Sequence, residues 1–600
     1  MSMRVRDLVA FAVVSIAAGC GASESSNPHG QLMSIDVQPA NEMVEYTGTP
    51  STIDYTAVGH YADGADVPLD GATWTLDEDG GHLGSFVDSH FTIGGAAAGK
   101  GGVFATLDGT VGSTSVMVTM HLTTLGDGVP DDAATHFPDT SPAAAQSQTV
   151  VYPLDQAVMP TSVKSPDIQW EGANAGGGDL YRVRMIAGYA TLDTILLEPP
   201  GSHFEPVDLD WQRIVGSVGT GTATITVDHW DATNGVAGGA PVNVKFIDAQ
   251  VVGAIYYWHL DAGRMEKIDS MGRAPAIPNP PQSPSDAANP TNPSDNRCVA
   301  CHSVSRDGRY LAGSMWGGAR EGAVFDMSSN AVKTGNPAPT VAPLTEGTTY
   351  KQLFTSWNND GTRLMVNEGN TLRVINPMTG ANVTTTGTPL PAAGAAHPSW
   401  SPDGTAIAFA SNTTAGGGTP AWAVDYDRSD LSIIPQTGPD AFGPAFPIVT
   451  ATGSPFPAAS WPTWTPDSQY VAFGQGVNSR GASGTTPYAG SLFMVNRNGG
   501  ASVKLANACR GQDLCYLPNF GPFDQGGYFW LVFYSFSPYG NAQVGTKGVV
   551  RRQMWVTAID KSKLGTGQDP SSTPYWLPEQ DVTAQNMSAF WALEAPIFKK

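Results

Sequence analysis

The chain runs to 600 residues, too long for one hydrophobic core, and roughly three or four domains are expected of it. Asp and Glu outnumber Lys and Arg by 54 to 31, a net charge of −23; this argues against nucleic acid and anionic lipid as partners, because both need clustered positive charge. With 69 Gly and 46 Pro and no long amphipathic helical pattern, the profile is that of turn-rich all-β domains.

Residues 1–20 read as an export signal. Arg4 and Arg6 form a short basic segment, and residues 8–18 form an apolar run too short to span a bilayer. Ala17, Ala18 and Gly19 then precede Cys20. This arrangement resembles the lipobox of bacterial lipoproteins, with Ala17 where a Leu is usual, and the resemblance implies that Cys20 becomes the lipidated N-terminus. A plain secretory signal cleaved near Ala22 is the alternative. Either way the expected location is the bacterial cell envelope, with the lipid as the membrane contact.

Residues 21–31 read as a flexible tether. From 32 to 122, short β-prone runs such as Ser34-Ile35-Asp36-Val37 and Ser115-Val116-Met117-Val118 alternate with turns, a spacing that suits a seven-stranded sandwich. Tyr61-Ala62-Asp63-Gly64, Trp74 and Gly99-Lys100-Gly101-Gly102-Val103-Phe104 resemble bacterial Ig-like modules, which implies a spacer. Residues 123–147 read as a polar linker. Within it, Asp127-Gly128-Val129-Pro130-Asp131-Asp132 offers three carboxylates where calcium takes six or more oxygens, so it reads as a solvated turn. Residues 148–270 read as a second sandwich, with strands at Ile168-Gln169-Trp170, Leu180-Tyr181-Arg182-Val183, Ala223-Thr224-Ile225-Thr226-Val227 and Ala254-Ile255-Tyr256-Tyr257-Trp258. Pro153 and Trp170 are placed in a way that resembles fibronectin type III modules, and the last of these strands is open to belonging to the next domain. Gly216-Ser217-Val218-Gly219-Thr220-Gly221 reads as a Gly-rich turn before a strand. Residues 271–296 carry seven prolines and read as a stiff extended linker.

The next stretch, Cys298-Val299-Ala300-Cys301-His302, is the attachment signature of c-type haem. Two thiols at this spacing form thioethers to the two vinyl groups of one porphyrin, and the next residue places an imidazole under the iron as proximal ligand. The alternatives are an exported disulfide beside a His, or half of a zinc site; no second Cys/His pair with zinc spacing completes the latter. Cys509 and Cys515, which enclose a short polar loop, are candidates for a local disulfide.

The haem motif runs directly into a repeat. Trp400-Ser401-Pro402-Asp403-Gly404-Thr405-Ala406-Ile407-Ala408-Phe409 is strand, tight turn, strand, with Pro and Gly where a type I turn favours them. The second strand is apolar on both faces and so requires burial on both sides, as between propeller blades. The frame recurs from Trp464, from Trp357, more loosely from Phe520, and in Val304-Ser305-Arg306-Asp307-Gly308. These repeats resemble TolB-type, WD40-like β-propellers, which implies a five- or six-bladed propeller over residues 297–600; residues 574–598 supply a sixth blade or close the ring with the first.

Aligning the copies on Asp307, Asp360, Asp403 and Asp467 makes Cys301, Phe354, His397 and Trp461 equivalent, and equivalent positions in a propeller ring its axis. The expectation is a porphyrin over the channel mouth, linked at Cys298 and Cys301, ligated by His302 and packed by Phe354 and Trp461. His397, Met587 and Met315 are candidates for the distal ligand; an open sixth position, with His397 as a hydrogen-bonded rim residue, is the alternative. The expected function is one-electron transfer by covalent haem c, with an envelope redox protein as partner. The competing readings are a scaffold that binds protein or glycan, with the paired cysteines as a disulfide, and a peroxidase-like haem enzyme.

Overall fold

The computed structural model describes residues 28–172, 177–197, 202–249, 251–269, 272–277, 299–315, 322–329, 341, 352–415, 425–481, 489–541 and 551–594. The signal segment with Cys20, most of the expected tether, Cys298 and most of the Pro-rich run lie outside the described residues. The chain divides into two compact units, taken here in turn: Met1–Val44, Pro50–Gly94 and Lys100–Met117 form one, and Glu45–Thr49, Gly95–Gly99 and Val118–Lys600 the other.

The first unit is a set of short antiparallel strands. Leu32–Gln38 pairs with Thr56–Tyr61, Thr52–Asp54 with His90–Ile93, and Thr73–Leu76 with Gly99–Leu107. In Leu32–Gln38 the side chains of Leu32, Ile35 and Val37 are buried and their neighbours exposed, the signature of a strand with one face on a core. Tyr55, Trp74, Phe86 and Phe91 pack together there at ring separations of 5.1–5.8 Å, Trp74 stacked on Phe86 and the other pairs tilted.

The second unit begins with another sandwich. Leu180–Ala187 pairs antiparallel with Ala190–Leu197 on one side and with Thr222–Asp231 on the other. Thr149–Tyr152, Ile168–Glu171 and His203–Phe204 form a second sheet. Met120–Leu125 lies parallel to Ala190–Ile195, so the expected linker at 123–147 begins inside a strand. The sandwich also carries a helix that the sequence reading did not include, Asp208–Val218, with Trp211, Ile214 and Val215 buried. This i, i+3, i+4 spacing makes one apolar face, Asp208 and Asp210 suit the positive N-terminal end, and Gly219 ends it at φ 53°. The expected Gly-rich turn at 216–221 is therefore the last helical turn and its cap.

The central strand Leu180–Ala187 is buried on both faces although it carries two arginines. Each is neutralised by a carboxylate from a neighbouring strand. Arg182 donates through Nε to Asp228 at 3.0 Å, and Arg184 grips Asp193 through two bonds of 2.7 Å. Burial of these charges is tolerated because both partners are paired and hydrogen-bonded.

Beyond the sandwich, six blades can be traced among the described residues. Their inner strands are Asn586–Ala592, Val299–Val304, Phe354–Trp357, Ala395–Trp400, Ala458–Trp464 and Cys515–Phe520, each followed outward by antiparallel partners. Every inner strand contacts the next around the ring. The protein is thus all-β in architecture, two sandwich modules followed by a β-propeller. Two boundaries differ from expectation. Ala254–His259 pairs with the C-terminal strand Asn586–Ala592, and Arg264–Asp269 and Gly272–Pro275 continue outward from it. The first blade is therefore built from both ends of the propeller, residues 254–275 leave the expected second sandwich and linker, and Ala276 and Ile277 are buried beside that blade. The physical reason is that Tyr256 and Tyr257 need cover on both faces, which a sandwich edge does not supply.

The repeat turn recurs in three copies with the same Ser/Thr–Asp contact. Ser401 donates to Asp403 at 2.6 Å, Asp403 accepts from the Thr405 amide at 3.0 Å, and Gly404 takes φ 72°. Ser305–Asp307 and Thr465–Asp467 repeat the first contact at 2.6 Å. Burial by itself raises the Asp403 carboxyl, but bonds from Ser401, Thr405 and Arg497 outweigh it and hold the group at about 2. The repeat tryptophans lock neighbouring blades together: Trp357 Nε1 donates to the Ser303 carbonyl at 3.3 Å and Trp464 Nε1 to the Ser399 carbonyl at 2.9 Å.

Candidate functional site

The inner strands do not run straight past the axis. Ladder pairing is interrupted after Ala300, Ala396, Ser460 and Tyr516, and again opposite Tyr256–Trp258. At each interruption one residue adopts left-handed backbone: Cys301 (φ 49°), His397 (50°), Trp461 (58°), Leu517 (48°) and Ser588 (53°). Phe354 holds the sixth equivalent place in ordinary strand geometry. A bulge of this kind re-aims a side chain, and a non-glycine residue, Trp above all, sits at positive φ only where its surroundings hold it there. The alignment of Cys301, Phe354, His397 and Trp461 on the turn aspartates thus corresponds to one ring of positions, extended by Leu517 and Ser588.

These residues surround a cavity of about 500 Å³ on the propeller axis, within the range of about 300–1,000 Å³ typical of ligand and cofactor sites. Cys301, His302, Phe354, His397, Trp461 and Met587 all line it. His397 lies flat on Trp461, ring centroids 3.6 Å apart, and Phe354 meets both edge-on at 4.6 and 4.8 Å. Trp461 is fixed by its indole N–H on the Ser479 carbonyl at 2.8 Å. The Tyr426 hydroxyl bridges His397 Nδ1 (2.9 Å) and Ser460 Oγ (2.8 Å), and burial pushes its phenol well up. The result is a pre-set aromatic wall on one side of the channel.

His302 follows the bulge. One ring nitrogen, Nε2, lies 3.4 Å from the Tyr256 carbonyl, and Nδ1 is buried with no hydrogen-bond partner. Phe590 faces the ring edge-on at 6.4 Å. Burial lowers its pKa to about 4, so the imidazole is neutral at pH 7. A neutral ring with one nitrogen on a backbone carbonyl and the other without a partner is the donor arrangement of a metal-ligating histidine. His302 and the bulged Cys301 thus stand side by side on the cavity wall.

The other expected site residues are distributed differently. Met587 lies on the inner strand opposite Trp258 and lines the channel. Met315 does not: it sits one strand further out, opposite Val299, in the apolar core between the first two blades with Tyr256, Val304 and Leu311. It is removed as a distal-ligand candidate because that core separates it from the axis. Cys509 and Cys515 adjoin each other as buried thiols at the start of blade six; burial, then the Cys509 neighbour, raises the Cys515 thiol. The Asp127 loop brings no metal-capable group together among the described residues, whereas Asp179, His229 and Asp231 place one ligand atom each within 4.8 Å of one another. There His229 Nε2 is already bonded to Asp179 at 2.9 Å, and an Asp231 oxygen caps the Thr233 and Asn234 amides.

No family model matches the chain, and no curated protein does. Among solved structures, a protein described as TolB from Agrobacterium tumefaciens is 13% identical, with a TM-score of 0.30 over 55% of this chain and 91% of its own. A nidogen/laminin complex is 7% identical at a TM-score of 0.32, over 56% and 98%. The β-propeller domain of Cps50 (Swd1) from Myceliophteria thermophila is 11% identical at 0.27, over 48% and 90%. At these values the propeller assignment rests on this chain's own strand pairings.

Sequence reasoning missed the channel's charged residues. Arg306, Arg480 and Arg552 line the cavity, and no Asp or Glu does among the described residues. Arg306 belongs to a repeat turn and donates to the Pro522 carbonyl at 3.3 Å. Arg480 and Arg552 stand outside the repeat frame, so no alignment of copies could have found them.

Proposed function

We propose that this protein is an envelope-anchored c-type haem protein that transfers single electrons. The observation that carries this reading is the placement of Cys301 and His302 on a bulged inner strand beside the axial cavity, with a neutral imidazole nitrogen left without a partner. In this reading Cys298 and Cys301 hold the macrocycle covalently and His302 is its proximal ligand. The haem supplies reversible one-electron oxidation and reduction. The chain's own residues do the rest. Phe354 and Trp461 give the ring an apolar face, His397 or Met587 supplies the second ligand, and the blades exclude water. A Met partner would raise the potential relative to a second His. Cys20 would carry the lipid, and the Ig-like and fibronectin-III-like modules would act as spacers between membrane and propeller, leaving an envelope redox protein to meet the exposed rim.

The test is a combined spectrum and redox titration of the haem-loaded chain. A six-coordinate low-spin spectrum with one single-electron wave is expected, and His397→Ala or Met587→Ala, whichever residue ligates, should convert it to high spin. A five-coordinate high-spin wild type would contradict electron transfer and favour a peroxidase-like enzyme.

A further inference from the structure

The channel's charge runs against that of the molecule. The chain carries 54 acidic and 31 basic residues, yet the described cavity lining holds three arginines and no carboxylate. In a cleft with low-dielectric walls, charge of one sign focuses the field on whatever enters.

Two of the arginines cluster. Tyr534 donates its hydroxyl to the Arg480 carbonyl at 3.1 Å. The Arg552 guanidinium lies over the Phe536 and Tyr534 rings at 4.8 and 5.8 Å. Arg552 Nε is buried with no hydrogen-bond partner, an arrangement that is costly unless a ligand completes it. Arg480 does pair with Asp425 at 2.6 Å, but both side chains are more than half exposed, and such a pair is screened and weak. The cluster is also tied to the aromatic wall, because Trp461 is anchored on Ser479, the residue next to Arg480.

We infer that Arg552, with Arg480 and Tyr534, forms an anion site that takes a carboxylate of a planar aromatic ligand whose ring lies against Phe354, His397 and Trp461. Guanidinium and carboxylate match in geometry as well as charge, and a flat ring matches the wall beside them. The same chemistry has two sources: a carboxylate side chain of a tethered porphyrin, or a free aromatic acid. The inference does not require the thioethers to form.

The experiment uses the full chain made without haem attachment, titrated calorimetrically with naphthalene-2-carboxylate and, separately, with the uncharged naphthalene-2-carboxamide. Saturable binding of the carboxylate is expected, at least tenfold tighter than the amide, with the preference abolished in Arg552→Gln and reduced in the surface variant Arg480→Gln. Equal affinities in the wild type, no binding of either probe, or an unchanged preference in a folded Arg552→Gln variant would overturn it. If Arg552→Gln does not fold, Arg480→Gln and the expected loss of preference at high salt decide the matter. Repeating the titration on haem-loaded chain separates the sources: exclusion of the probe assigns the site to the porphyrin's own carboxylates, and retained binding to a free acid. A haem-free chain that binds the carboxylate keeps this inference standing even if covalent haem is disproved.

Discussion

Trp461 shows what a single channel position has to satisfy. Its backbone is held at φ 58°, its indole N–H is bonded to Ser479, and its ring face covers His397. His397 in turn is oriented by the hydroxyl of Tyr426, which also bonds Ser460. Tyr426→Phe removes one hydroxyl and strips two buried polar groups of a partner. A loss of about 1–3 kcal/mol is expected, read as a lower urea midpoint with an unchanged slope; an unaltered midpoint would mean that Tyr426 does not brace the wall. His397 and Trp461 were legible in the sequence because each lies a fixed step before a recognisable turn. Tyr426, which braces His397, and Arg480 and Arg552, which line the channel, were not, since they come from segments outside the repeated frame, where no second copy marks their place.

At the scale of the element, the strand-turn-strand repeat was readable because its chemistry is local: a Ser or Thr bonding an Asp two residues on, and a Gly at positive φ. The helix Asp208–Val218 was not, because its apolar face rests on only three buried side chains and its Gly-rich end resembles a turn. Leu180–Ala187 was legible as a strand, but the burial of Arg182 and Arg184 depends on Asp228 and Asp193, and Asp228 is 46 positions from its partner. Removing one member of such a pair strands the other charge, so Asp228→Asn is expected to destabilise the sandwich by about 3–5 kcal/mol. Chemical denaturation checks this; a change below about 1 kcal/mol would mean that Arg182 finds water or another acceptor.

At the scale of the whole molecule, closure of the ring was legible in part: residues 574–598 were open to closing it with the first blade, and the strand at 254–258 to belonging to the next domain. Asn586–Ala592 completes a blade begun at Ala254–His259, and neither segment carries the repeat turn that marks the other copies. Tyr256 and Tyr257 are both buried where the two segments pair. Closure brings six inner strands around one cavity, with Cys301 and His302 on its wall and arginines in place of the acids that dominate elsewhere. The proposed function depends on one covalent linkage, and that linkage is directly measurable. The measurement is a pyridine haemochrome assay on full-length protein made with a c-type maturation system, after extraction with acidified acetone. The account predicts haem that stays with the polypeptide and is lost in the Cys298→Ala/Cys301→Ala double variant; protein that is colourless, or whose haem is fully extracted, with the two sulfurs joined to each other, would contradict it.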